Sequence, residues 1–259
     1  FVPDSIPSLS LDEIKALADK SYPEKAATIL SKFLSDYTYE ELLADCSAAY
    51  DEASFVGGAA PLVKLDDTME IMELWHGPTS AFKDVALQML PQLLSAALRK
   101  TGEDKTACIL VATSGDTGKA ALEGFKDVKG TSCTVFYPSD GVSDVQKLQM
   151  TTTGGDNTHV IAINGNFDDA QTGVKNIFTA CRDRELPFRL SSANSINIGR
   201  LAPQVTYYFK SYQDLLNAGR IQMGDEVNFT VPTGNFGDIL AGYLAKCMGL
   251  PVGKLICAS

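Results

Sequence analysis

The stretch ACILVATSGDTGKAALEGFKDVKGTSCTVFYP, residues 107–138, decides the fold class. It opens as a near-continuous apolar run, turns at the glycine pair of SGDTG, continues with helical spacing through KAALEGFKD and ends in a second apolar run, CTVFYP. A run apolar on every residue suits a strand buried on both faces, and strand–helix–strand units of this length build parallel sheets. The alternation continues downstream. DVQKLQMTT reads as a helix, HVIAING as a strand and FDDAQTGVKNIFTACRD as a helix. APQVTYYFKSYQDLLNAG is a long helix, VNFTVPTG a strand, NFGDILAGYLAKCMG a turn and helix, and KLICAS the close of a last strand. Between the third helix and the long one, RELPFRLSSANSINIGR (184–200) reads as a loop that separates two lobes. The expectation is therefore an α/β protein with parallel-rich sheets.

Upstream the periodicity is helical over residues 10–60. Ser10–Glu13 and Thr38–Glu41 match the capping-box pattern, each ahead of an apolar repeat. PLVKL and MEIMEL are short strand candidates. From Phe82, apolar residues recur at Val85, Ala86, Met89, Leu90, Leu93, Leu94, Ala97 and Leu98, the spacing of a helix face, with Pro91 expected to kink it. No internal repeat or low-complexity segment is present. The expected partition is a helical part over 1–57, a piece of a large domain over 58–104, a small α/β domain over 105–198 and the start of a further large-domain portion over 199–259. The start at FVPDSIP and the stop at a strand end read as a chain truncated at both ends.

With 259 residues, 45% hydrophobic and 21% charged, the chain can bury a sizeable core. Its net charge of −10 disfavours general attraction to nucleic acid or to an anionic membrane. No run of eighteen apolar residues occurs and no basic-then-apolar leader opens the chain, so neither a membrane span nor a secretory signal is read. The six cysteines lack CxxC spacing and several lie in apolar runs, which reads as reduced core thiols of a cytoplasmic protein. The two histidines, His76 and His159, show no metal-ligand spacing, so no metal is expected. No GxSxG elbow is present.

Against that anionic background, three junctions could hold small anions. VPTGNFGD (231–238) leads from a strand into a helix, where glycines bring freed amides and the helix dipole close to a ligand such as phosphate. Its glycines are three apart, unlike the dinucleotide fingerprint. ATSGDTGKAA (112–121) is a second such junction, where Ser114 and Thr117 add hydroxyl donors. It is not a Walker A loop, which needs Gly at Thr113 and Ser or Thr at Ala120. SSANSINIGR (191–200) is rich in hydroxyl and amide donors and ends in Arg200. Each also reads as an ordinary cap or solvated loop. Lys83, in WHGPTSAFKD (75–84), is the odd residue. It opens a helix, where the dipole favours an acid. That dipole and desolvation both favour the neutral, nucleophilic amine. A lysine with a phosphate cradle and a carboxylate cradle is what pyridoxal 5′-phosphate and an amino-acid substrate need.

HGPTSAFKD, TSGDTGKAA, NSINIGR and PTGNFGD, in this order and spacing, resemble the threonine synthase family, and GGAAPLVKL and PQVTYYF extend the likeness over essentially the whole chain. The resemblance implies a two-lobed, fold-type-II pyridoxal-phosphate enzyme. It implies a carbon–oxygen lyase acting on phosphates, in threonine biosynthesis, that converts O-phospho-L-homoserine and water to L-threonine and phosphate by γ-elimination and β-addition. It makes Lys83 the Schiff-base lysine and proton shuttle. Gly234, Asn235, Phe236, Gly237 and Asp238 become the cofactor-phosphate loop. Ser114, Gly115 and Thr117 hold the substrate carboxylate, and Asn194, Ser195 and Arg200 the substrate phosphate. Asp116 stands where many fold-type-II proteins carry Asn beside the cofactor ring oxygen. A hydroxyl residue that approaches the pyridine nitrogen in the family falls beyond this chain, which as it stands would be inactive. The alternatives are another fold-type-II lyase, such as a serine/threonine dehydratase, or a non-enzymatic binder of small anions.

Overall fold

The computed structural model describes residues 3–194, 197–232 and 235–258. Two compact units emerge, one made of Phe1–Gly77 with Ile198–Ser259, the other of Pro78–Asn197. The expected partition had grouped 58–104 separately from 105–198, whereas here residues 78–104 pack with the sheet that follows them.

The first unit begins with helices α1 (Leu11–Ala16), α2 (Tyr22–Ser31) and α3 (Tyr39–Ala49). Each starts at a complete capping box, Ser10 with Glu13, Ser21 with Glu24 and Thr38 with Glu41. In each, the hydroxyl accepts from the third helical amide while the glutamate accepts from the cap residue's own N–H. A short antiparallel pair follows, β1 (Leu62–Lys64) and β2 (Glu70–Met72).

The second unit is a parallel sheet. Helix α4 (Asp84–Thr101) precedes β3 (Thr106–Ala112), α5 (Asp116–Phe125), β4 (Thr131–Pro138), α6 (Asp144–Thr151), β5 (Thr158–Ile163), α7 (Phe167–Cys181) and β6 (Phe188–Ser191). The strand order is β5-β4-β3-β6, every pair parallel. The chain steps from β3 outward to β5, then crosses back to add β6 on the other side of β3. Helices α4, α5 and α6 supply Leu87, Leu90, Ala120, Ala121, Leu122, Phe125 and Met150 to one core against Ile109, Val111, Cys133 and Val135. Helix α7 lies on the other face, packing Ala170 and Val174 against Leu110 and Ala112. Helix α4 runs unbroken through Pro91. Strand β6 corrects the reading of 184–200 as loop. Its four residues, FRLS, follow Pro187 and run into serines, so the local signals are those of a loop, and pairing with β3 overrides them.

The chain then returns to the first unit as α8 (Ile198–Asn217), β7 (Val227–Val231), α9 (Phe236–Cys247) and β8 (Val252–Cys257), with β7 and β8 parallel. Tyr207, Tyr208, Phe209 and Tyr212 of α8 are buried, and Tyr208 meets Phe229 edge-on at 4.9 Å between centroids. The cysteines are all free, but the reading of them as core residues holds only in part. Cys46 and Cys133 are buried, whereas Cys247 and Cys257 are exposed at the ends of α9 and β8. Among the described residues no helix is long and apolar enough to cross a membrane.

One contact fixes α4 on α5. A Cβ placed on Gly124 would lie 2.0 Å from the Leu87 carbonyl oxygen, so the backbones of the two helices meet where only glycine fits. Gly124→Ala should force the helices apart and lower the unfolding free energy by about 2 kcal/mol, as overpacking generally does. Urea titration checks it, and an unchanged midpoint would show that the contact gives way cheaply.

Candidate functional site

The strand order reverses at β3, which has β4 on one side and β6 on the other. In open parallel sheets, ligands bind beyond the carboxyl ends of the strands at such a switch point. Two of the three loops singled out by sequence leave from there. The loop 113–115 leaves the end of β3 for α5, and residues 192–194 leave the end of β6.

Thr113 builds the first loop from inside. It is buried, its hydroxyl lies 3.0 Å from the Gly115 amide and 2.9 Å from the Gly118 amide, and it accepts from both. Gly115, the N-cap of α5, has φ 148°, which favours glycine. Ser114 and Asp116 are exposed, Thr117 half-buried. Asp116 is held from two sides. Its Oδ2 stands 3.5 Å from Lys83 Nζ, and its Oδ1 accepts from Gln146 Nε2 at 2.8 Å. In the second loop the Asn194 amide donates to Ser192 Oγ at 3.2 Å, and Asn197 Nδ2 donates to the Ser192 carbonyl at 2.9 Å. Ser195 lies outside the described residues.

Lys83 is the N-cap of α4 and makes no side-chain cap there. Its side chain is 16% exposed, and Nζ lies 4.7 Å from the centroid of the Phe82 ring. The acid that the helix dipole calls for is its neighbour. Asp84 is fully buried at the first helical position, and its carboxylate accepts from the Thr79 amide at 2.8 Å, the Thr79 hydroxyl at 2.6 Å and the Ala81 amide at 3.5 Å. Asp84 therefore ties back the turn 79–83, in which Ser80 takes the left-handed conformation at φ 56°, and leaves Lys83 to project elsewhere. Burial pushes the Asp84 carboxyl above its ordinary range, against those three hydrogen bonds.

The first unit carries the other candidates. Asn235 is the N-cap of α9 and accepts from the Asp238 amide at 3.1 Å. Phe236 is 79% exposed, Gly237 sits in the first turn, and Gly234 lies outside the described residues. The Asp238 side chain turns inward, where Oδ1 accepts from the Tyr207 hydroxyl at 2.6 Å and the Tyr208 hydroxyl at 2.7 Å. Burial raises its carboxyl, and the tyrosine hydrogen bonds oppose the rise. The Tyr207 hydroxyl also lies 3.1 Å from Gln204 Oε1, and Gln204 Nε2 donates to the Arg200 carbonyl. Arg200 and Asp238 thus belong to one polar chain. Arg200 is 3% exposed, and burial lowers its guanidinium to about 10.

Sequence reading missed Thr113, Asp84, Gln146 and the two tyrosines. Asp84 had a signal, as the acid of a first helical turn. Gln146 had one too, as the fourth residue of the box Ser143–Gln146 at α6. Tyr207 and Tyr208 act through tertiary contacts that no local pattern marks, and Thr113 through bonds within its own loop. Among the described residues no group of His, Cys, Asp or Glu could hold a metal ion.

A family model described as the threonine synthase N terminus matches residues 1–50. A threonine synthase from Schizosaccharomyces pombe is 42% identical over 267 residues, covering 100% of this chain and 51% of that protein. One from Pseudomonas aeruginosa is 42% identical, covering 100% and 54%. A human protein named threonine synthase-like 1 is 40% identical, covering 100% of this chain and 36% of that one. The crystal structure of a pyridoxal-phosphate-bound threonine synthase from Brucella melitensis superimposes with a TM-score of 0.85 at 41% identity, covering 98% of this chain and 53% of that one. The chain spans about half the length of the curated threonine synthases it matches.

Asp84→Ala should cost about 2 kcal/mol of stability, the scale of a charge-assisted hydrogen bond to a buried carboxylate, with faster amide exchange at Thr79. Because folding raises the Asp84 carboxyl, its stabilising contribution is greatest below the unfolded value of 3.8 and declines as pH rises from there. The stability of the wild type relative to Asp84→Asn should therefore fall as pH increases above about 4. Denaturant titrations of both proteins across that range check the sign.

Proposed function

We propose that this chain, which belongs to the threonine synthase family, carries the cofactor lysine and most of the ligand-binding loops of a pyridoxal-phosphate-dependent threonine synthase. The substrate is O-phospho-L-homoserine, and the products are L-threonine and phosphate. The observation that carries the reading is Lys83, a largely buried amine held 3.5 Å from Asp116 and beside a glycine-capped helix end at the switch point of a parallel sheet.

The residues present fit the cofactor chemically. An amine on a fixed turn suits a carbonyl carbon, and the first-turn amides of α9, capped by a neutral asparagine, suit a phosphate. Lys83 would hold the cofactor and carry the proton at the substrate's α carbon. Asn235, Phe236 and Gly237, with Gly234, would offer backbone donors to the cofactor phosphate. Asp238 would support that turn through its tyrosines rather than touch an anion with its own carboxylate. Ser114, Gly115 and Thr117 are assigned to the substrate carboxylate, Asn194, Ser195 and Arg200 to the substrate phosphate. When bound, the cofactor supplies the electron sink that makes proton loss at the α carbon possible. The free thiols suit a reducing cytoplasmic setting.

Lys83→Ala in the full-length protein should abolish the visible absorbance of lysine-linked cofactor and nearly all phosphate release from O-phosphohomoserine. Full turnover in that variant would overturn the reading. Arg200→Lys should leave cofactor affinity unchanged. It should lower kcat/KM about ten- to a hundredfold, because a point charge does not reproduce a bidentate guanidinium contact. Inhibition by inorganic phosphate should weaken in parallel. A fall in cofactor affinity with unchanged phosphate inhibition would mean that Arg200 serves the cofactor instead.

A further inference from the structure

Five helices of the described chain begin with a complete capping box. The residue that closes the box is Glu at α1, α2 and α3 and Asp at α7. At α6 it is a neutral amide, Gln146. Its two ends do different things. Oε1 accepts from the Ser143 amide at 3.4 Å and the Ser143 hydroxyl at 3.2 Å, as a glutamate would. Nε2 donates to Asp116 Oδ1 at 2.8 Å, as a glutamate could not. A carboxylate at 146 would instead set a like charge against Asp116.

Gly115 makes room for this. A Cβ there would lie 2.5 Å from Gln146 Cδ and Nε2, so the carboxamide lies over the bare backbone of the loop. Asp116 is 51% exposed and could turn to water. With Oδ1 tied to Gln146, its second oxygen is left facing Lys83 Nζ at 3.5 Å.

We propose that Asp116 and Gln146 are positioning residues for Lys83: before the cofactor binds, Asp116 holds the ammonium, and Gln146, reaching from the start of α6 across Gly115, aims Asp116 at it. The arrangement deepens the reading of Lys83 as the reacting amine and rests on it. It also accounts for an acid at position 116, whose charge faces the lysine. An ammonium held by a carboxylate reacts slowly with electrophiles, so the pair keeps the amine quiet until a ligand displaces the contact.

The test reads Lys83 directly, without turnover. Full-length protein freed of cofactor is acetylated with acetic anhydride at one fixed pH, and the rate at Lys83 is followed by peptide mass spectrometry. Asp116→Asn should raise that rate about two- to fivefold, the scale of a partly exposed ion pair. Gln146→Met should produce part of the same rise, and should add nothing in the Asp116→Asn background, because Gln146 acts only through Asp116. If Gln146→Met loosens the start of α6, seen as faster acetylation of Lys147, then Gln146→Glu replaces it, since that residue still closes the box. Its effect must again differ between the two backgrounds. A Lys83 rate unmoved by Asp116→Asn, or an effect at 146 equal in both backgrounds, overturns the proposal. The separate loss of the visible band in Lys83→Ala is untouched by either result, so the failure of this inference and the failure of the cofactor assignment are told apart.

Discussion

Strand β3 is hydrogen-bonded on both sides, and the chain reaches its two neighbours at different points downstream. One neighbour follows after a single crossover helix, the other only after two more strands. The pairing of β3 with β6 puts the end of β6, which residues 192–194 leave, on the same side of the sheet as the end of β3, which 113–117 leave, and without it the two segments would belong to unrelated turns. It rests on four residue pairs, Thr106 to Ile109 against Phe188 to Ser191. The pairing is short, and what steadies it is the apolar layer beneath, where Leu190 and Phe178 join Leu110, Ala170 and Val174. Burial on the α7 face thus sets the spacing of polar groups at the strand ends.

A helix start exerts a positive potential, and α4 answers it differently from the boxed helices. At α1, α2, α3, α6 and α7 a serine, threonine or asparagine and a residue one turn on close the end with side chains. At α4 the acid is present but faces backward, into the turn 79–81. Lys83 is tolerable at its position because Asp84 supplies the compensating charge from the next residue. The arrangement also places the amine, since a turn with three hydrogen bonds to one carboxylate has little freedom.

Much of this was legible in the sequence. Apolar runs and helical repeats located β3, β4 and β5 and the helices between them, because a buried parallel sheet writes its pattern on nearly every residue. The capping boxes at Ser10 and Thr38 were equally plain. Strand β6 was not, because its four residues carry no periodicity of their own and are fixed by a partner about eighty residues earlier. The candidate loops could be named but not shaped. That Asp238 would turn toward Tyr207 and Tyr208 depends on contacts between segments distant in the chain. Nor does the sequence mark Gly124 as the place where two helix backbones touch.

Asn166 with Asp169 and Asn235 with Asp238 are the same pair of residues at the same spacing, each at a helix start. In the first, the aspartate reaches back to the asparagine amide and the end is closed. In the second, two tyrosine hydroxyls draw the aspartate into the interior, and only the asparagine remains as a cap. A tetrapeptide pattern therefore has two electrostatic outcomes, and the choice between them is made by α8. Tyr207 and Tyr208 act as a selector. By removing one negative charge from the mouth of α9 they convert a self-sufficient helix start into one whose positive end is presented outward, and they do so without any change in the helix's own first turn.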